Sequence, residues 1–209
     1  MSALTGPIRD PALAHASRDA RVAELVKAVA QGEDWARAAL YDRYASDVAR
    51  VLRAVLGPDQ EIPDHIQETF IEVFDAIGTL RDLGALSSWI RQIAVHVARS
   101  SIRKRRRLRW LHALGLVGDV ERTAVVAPPE VRQALEETYR VLGELRVDLR
   151  VAFTLRHIEG LELTQVAAAC DVSLATIKRR LVAAENSFRK HARRSGKLDE
   201  WLAPDGGLS

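Results

Sequence analysis

This 209-residue sequence predicts an all-α protein made of two small helical domains joined by a linker, the second domain a helix-turn-helix. Three observations carry that expectation. Aromatic residues are only 5% of the chain while Ala, Leu, Val and Arg dominate, and period-2 alternation of β-branched residues is nearly absent, which favours helices over strands. Apolar residues recur at helical spacing through two long stretches. Between them, residues 108–129 contain two glycines and a Pro-Pro pair without sustained periodicity, the pattern of a linker.

The elements follow in order. Residues 1–17, with Gly6, Pro7 and Pro11 and no periodicity, read as a flexible tail. From Arg18, Val22, Leu25, Val26 and Val29 define the first helix, which Gly32 ends. Asp34 is placed to cap a second helix carrying Trp35, Ala38, Ala39, Tyr41, Tyr44, Val48, Val51, Leu52 and Val55. Gly57-Pro58 stops it, because proline disfavours helical geometry in its predecessor. Pro63 opens a third helix whose apolar set is Ile66, Phe70, Ile71, Phe74 and Ile77, with His65, Gln67, Glu68 and Glu72 elsewhere on the cylinder. A fourth helix starts near Ser87 or Ser88, carries Trp89, Ile90, Ile93, Val97 and Ile102, and runs into RKRRRLRW. Residues 18–107 form the first domain. The second domain, 130–195, holds helices near 130–145, 148–159, 164–169 and 173–191, and residues 196–209 read as a loose tail.

Within the second domain, LTQVAAACDVSLATIKRRL has the layout of a helix-turn-helix: a short helix with Val166 and Ala167, a turn at Cys170-Asp171-Val172, and a second helix capped by Ser173. Val172, Ile177 and Leu181 face inward. That leaves Ser173, Thr176, Lys178, Arg179 and Arg180 on the first turns of a recognition helix, where side chains reach base edges and phosphates in a major groove. Asp171 takes the turn position where glycine is commonest, and Asp tolerates left-handed backbone better than most residues. Cys170 reads as core.

Charge points the same way. The formal net charge is +3, but the basic residues cluster, with seven Arg/Lys and no acid from Arg99 to Arg109, a distribution suited to tracking phosphates. One cysteine cannot form an internal disulfide, and six scattered His lack metal-ligand spacing, so no metal and no other cofactor is expected. No catalytic residues are expected either, because the chain lacks a Gly-rich phosphate loop, paired metal-binding carboxylates and a Ser/Cys/His arrangement. Neither a signal peptide nor an apolar run of about 18 residues is visible, so the expectation is a cytoplasmic protein without membrane insertion.

The first domain carries a resemblance. PDHIQETFIEVFDAI is similar to the conserved second region of sigma-70 family proteins, matching at Asp64, Gln67, Glu68 and Phe70. SSWIRQIAVHVARSSIRKRRR resembles that family's promoter-melting and minus-10 helix, with Ser88, Trp89, Ile90, Ile93, Ala94 and Ala98 fitting. LGELRVDLRVAFTLRHIEGLEL resembles the start of its promoter-distal region. Two motif sets in family order, across a linker and in so short a chain, are similar to the reduced extracytoplasmic-function (ECF) sigma factors.

The resemblance implies that Asp64, Gln67, Glu68 and Phe70 meet the beta-prime clamp helices of RNA polymerase core, with the second domain directed toward the beta flap. It implies minus-10 promoter DNA contacts by Trp89, Arg91, His96, Arg99, Arg103, Lys104 and Arg105, and minus-35 contacts by Ser173 to Arg180. It also implies an anti-sigma factor as a partner. His96 stands where the family usually has Asn, and Ser101 where it often has Asp, so no relative's minus-10 sequence carries over. The rival readings are a helix-turn-helix regulator acting beside the sigma subunit, which would need a receiver or ligand domain upstream, and a nucleic-acid-coating adaptor, which leaves the acidic third helix unexplained.

Overall fold

The computed structural model describes residues 11–113 and 129–195. Among them lie eight α-helices and no strand: α1 (Pro11–Ala30), α2 (Asp34–Leu56), α3 (Ile62–Ala76), α4 (Leu86–Ala113), α5 (Pro129–Glu144), α6 (Val147–His157), α7 (Leu163–Cys170) and α8 (Leu174–Ser195). Helices α1–α4 make a first lobe and α5–α8 a second. The linker segment 114–128, the C-terminal tail 196–209 and residues 1–10 lie outside the described residues.

Several boundaries differ from the expectation. Helix α1 begins at Pro11 rather than near Arg18, since proline's fixed φ suits the first helical turn and the alanines beyond it favour helix. Helix α4 continues to Ala113, so residues 108–113, expected in the linker, are helical, because Arg and Lys are good helix formers and nothing in RKRRRLRW breaks a helix. Asp34 does not cap α2; Glu33 holds the cap position without a side-chain bond.

The first lobe packs α2, α3 and α4 against one another, with α1 across α2 and the short 3-10 turns at Ile77–Thr79 and Leu83–Ala85. Helix α2 buries Ala36, Leu40, Tyr44, Val48, Val51, Leu52 and Val55, while Trp35 and Tyr41, which it also carries, are 57% and 40% exposed. The i, i+4 stripe from Ala36 to Val48 faces the neighbouring helices, and burial follows where neighbours stand rather than side-chain size. In α3, Ile62, Phe70 and Val73 are buried and Ile71 is 61% exposed. His65, assigned from the sequence to the wet side, is buried, its Nε2 3.1 Å from the buried Ser101 hydroxyl of α4 and its Nδ1 3.3 Å from Glu68.

In the second lobe Val141 and Leu142 of α5, with Leu145 just after it, meet Phe153 of α6 and Ala184, Phe188 and Ala192 of α8. The Phe153 and Phe188 rings stack at 4.8 Å. Cys170 is buried, as read from the sequence.

The lobes are not separate bodies. One hydrophobic cluster runs from Leu40, Leu52 and Ala98 of the first lobe to Val151, Leu155, Val166 and Ile177 of the second, with α6 packed on α2 and α4, and α7 on α4.

Candidate nucleic-acid interface

The helix-turn-helix is built from short-range signals. Glu162 caps α7 in a reciprocal capping box with Gln165, whose side-chain oxygen accepts from the Glu162 amide at 3.0 Å. Asp171 adopts the left-handed conformation (φ 53, ψ 51) that turns the chain, and its amide closes α7 onto Ala167 and Ala168. Ser173 then caps α8, accepting from the Thr176 amide at 3.2 Å, with the two hydroxyls 3.0 Å apart.

The helical period sorts the five minus-35 candidates. Lys178 and Arg179 are exposed on the outer face of α8. Ser173 and Thr176 are engaged with each other at the cap. Arg180 turns the other way: its guanidinium is 3.8 Å from Asp148 of α6, with a side chain only 23% exposed, so in this arrangement it does not share the outer face. The same outer face continues through Val182, Asn186, Arg189 and Arg193, all exposed. These later positions were missed because the sequence reading stopped at the recognition turns, although their i, i+3, i+4 spacing from Lys178 was available.

Helix α4 divides into three faces. Ile90, Ala94, Val97, Ala98 and Ser101 enter the first-lobe core. Gln92, Val95 and Arg99 turn toward the second lobe: Gln92 donates to the Ala168 carbonyl at 2.9 Å, and Arg99 lies 3.7 Å from Asp148 with 17% of its side chain exposed. His96, Arg103, Lys104 and Arg107 remain outward. The last three border an open groove of about 430 Å³ between α3 and α4, shared with Glu68, Ser100 and the His65–Ser101 pair.

The minus-10 candidates therefore separate. His96, Arg103 and Lys104 share the open strip, joined by Arg107. Trp89 is half-buried and packs on the core, and Arg91 lies over the α2–α4 seam beside Asp47 and Ser87. Arg105 points away from the strip, pairing with Glu61 at 2.8 Å and with Asp59, because at its place on the helix the nearest surface is the acidic start of α3. Asp59, Glu61 and His65 bring donor atoms within 4.8 Å of one another, a spacing a metal ion could use, but the Arg105 guanidinium already neutralises both carboxylates.

On α3, Asp64, Gln67 and Glu68 form an exposed stripe. Phe70 does not belong to it: the ring is 2% exposed, 4.7 Å from Tyr41 and 5.9 Å from Phe74, so it supports the helix from inside. Exposed Ile71 extends the stripe instead. The sequence concealed this because an isoleucine at helical spacing reads as core.

The chain also matches known proteins. Residues 40–108 match sigma-70 region 2, and residues 128–186 match sigma-70 region 4. The ECF RNA polymerase sigma-E factor of Haemophilus influenzae is 31% identical over 167 residues, covering 75% of this chain and 87% of that one. The chain belongs to the ECF sigma factors of the sigma-70 family. Its sigma-E relative in Escherichia coli K12 is 27% identical over 176 residues, covering 78% of this chain and 90% of that protein.

Two solved structures share the fold, each at 20% identity and a TM-score of 0.55. CnrH in complex with the cytosolic domain of CnrY covers 84% of this chain and 96% of its own. RpoE from Bartonella quintana in complex with the anti-sigma factor NepR covers 73% and 94%. As a sigma factor, the protein binds RNA polymerase core and directs promoter-specific initiation, which decides against a regulator acting beside the sigma subunit. Among the described residues no helix is long and apolar enough to cross a membrane.

Proposed function

We propose that this sigma factor divides its work among three exposed surfaces. The α3 stripe of Asp64, Gln67, Glu68 and Ile71 docks on core polymerase at the beta-prime clamp helices. The α4 strip of His96, Arg103, Lys104 and Arg107 follows the minus-10 element, with the cations on phosphates and His96 placed to meet a base. The outer face of α8, from Lys178 and Arg179 through Arg189 and Arg193, enters the minus-35 major groove. The second lobe also meets the beta flap, and an anti-sigma factor regulates the protein, a reading supported by the complex of the RpoE relative with NepR.

The observation that carries this assignment is the segregation of charge. Exposed cations gather along the second half of α4 and on the outer face of α8, while the exposed acids Asp64 and Glu68 stand on α3. A nucleic-acid coat would repel that acidic stripe, whereas a protein partner with basic residues would seat on it.

Reconstituted transcription tests it. Purified factor and core polymerase on a pooled promoter library give specific start sites. Asp64→Ala weakens initiation through core affinity, and Arg179→Ala weakens it through promoter affinity with core binding intact. Start sites unchanged by both substitutions would remove these residue assignments.

A further inference from the structure

Trp110 closes the RKRRRLRW run with its side chain 62% exposed. A lone exposed apolar residue is ordinary, so its register is what carries information. His96, Ser100, Arg103, Arg107 and Trp110 follow one another at steps of four and three residues, which sets them in one row along α4. Trp110 ends the row, one turn beyond Arg106 and Arg107, both exposed. No acidic residue occurs anywhere in α4.

The fold itself does not use this indole. Among the described residues Ile102 is the last of α4 to enter the hydrophobic core. Beyond it the helix is held from the opposite side, where Arg105 pairs with Asp59 and Glu61 at the start of α3. The back of the row is thus fixed to the first lobe, and its front offers cations beside one large apolar surface. Duplex DNA matches both, since phosphates take the cations and sugars and groove walls take apolar side chains. The row is also continuous with the α4 strip assigned above to the minus-10 element.

Connectivity says which part of the promoter lies under Trp110. Helix α4 leads into the linker, and the linker leads to the second lobe, so the C-terminal end of α4 faces the minus-35 side. Even fully extended, residues 114–128 reach about 55 Å. Elements centred 10 and 35 base pairs upstream of a start site lie about 85 Å apart along B-DNA. The lobes supply the rest of the distance, the first one through the end of α4. From His96 to Trp110 the row runs about 21 Å, which is about six base pairs of duplex. With His96 on the minus-10 element, Trp110 falls beyond that element's upstream edge.

We propose that Trp110 is a promoter-contacting residue outside both recognition elements: its indole packs against the sugars and groove edge of the spacer duplex just upstream of the minus-10 element, with Arg106 and Arg107 on the flanking phosphates. The inference rests on the assignment of the α4 strip to the minus-10 element.

Template length tests it. Holoenzyme assembled from the full chain and core polymerase is titrated onto two fluorescent templates carrying a promoter selected from the pooled library. One template ends at the upstream edge of the minus-10 element, and the other continues for one further turn of duplex, about ten base pairs. Trp110→Ala is expected to weaken binding to the longer template by about fivefold or more, from the apolar area returned to water, and to leave the shorter one unchanged. Trp110→Phe falls between. An indole releases no counterion, so Trp110→Ala keeps the parent's salt slope on the longer template, whereas Arg106→Ala flattens it by about 0.9. Parental affinity of Trp110→Ala for the longer template overturns the proposal. So does an equal loss on both templates, a weaker grip on core polymerase, or a lower urea midpoint of the free factor, since these assign the indole to the minus-10 element, to polymerase or to the chain's own fold. Arg103→Ala separates the two readings: it weakens binding to both templates if the strip lies on the minus-10 element. If it weakens neither, that assignment falls, and the comparison of template lengths still decides the contact made by Trp110.

Discussion

Gly57 is where one missing methyl group holds the two lobes together. Its backbone (φ 84, ψ −161) lies in a region that essentially only glycine visits, so another residue there costs on the order of 1–3 kcal/mol. A Cβ on Gly57 would also sit 2.6 Å from Cδ1 and 2.8 Å from Cγ of Tyr139, closer than real contacts allow. The ring is held by its hydroxyl bonds to Arg53 and Ala54 and by the Arg150 guanidinium 5.8 Å from its centroid. Displacing it forfeits about 1 kcal/mol of hydrogen bonding as well as packing. Gly57→Ala is therefore expected to cost about 3 kcal/mol, lowering Tm by about 6–12 °C in a chain of this size. Urea unfolding followed by circular dichroism measures it, and a double-mutant cycle with Tyr139→Ala isolates the steric share. With the ring gone, the cost of Gly57→Ala should fall to its backbone part, giving a coupling of about 1–2 kcal/mol. Coupling below about 0.5 kcal/mol, the range of independent sites, would mean that Tyr139 does not rest on Gly57 and that the lobes do not pack as described.

Three further outcomes follow from local geometry. Asp171→Val should destabilise the second lobe by about 1–2 kcal/mol, the cost of left-handed backbone for an ordinary L-residue, while Asp171→Gly leaves urea stability equal or higher; the reverse order would contradict the left-handed turn. Lys178→Ala should weaken binding to all promoter sequences alike and flatten the salt slope by about 0.9, one phosphate contact, whereas a loss confined to one base position would make Lys178 a base reader. Burial, more than the opposing pull of nearby Arg99 and Arg180, pushes the Cys170 thiol above its ordinary pKa. Because the thiolate is the reactive form, labelling of the folded protein should rise at higher pH than labelling of the urea-unfolded chain, and coincident profiles would place Cys170 in water.

The helices, their order and the helix-turn-helix were legible from residues alone because each rests on signals a few positions apart. Pro63 sits in the first turn of α3, Asp171 makes the turn after α7, Ser173 caps α8, and the apolar period marks every core-facing stripe. The family was legible for the same reason, since its motifs are contiguous strings. Errors arose where a face had to be chosen. Ile71 and Phe70 are neighbours with equal claims to the core by spacing, and only the position of α2 decided that Phe70 is buried and Ile71 is not. By helical spacing alone His65 belongs to the surface, and only Ser101 of α4 gives it a buried partner.

What the tertiary structure alone decided is the seam between the lobes. Arg99, Arg105 and Arg180 sit in basic runs whose other members face water, and nothing local separates Arg103 from Arg105 or Arg179 from Arg180. Their partners, Asp148 for Arg99 and Arg180, and Asp59 with Glu61 for Arg105, lie tens of residues away in the chain. Tyr139 and Arg150 reach carbonyls 85 to 95 positions before them. A backbone carbonyl at a helix end carries no residue-specific mark, so the sequence determined that α2 must stop at Gly57, but only the packed chain determined which side chains would come to meet it.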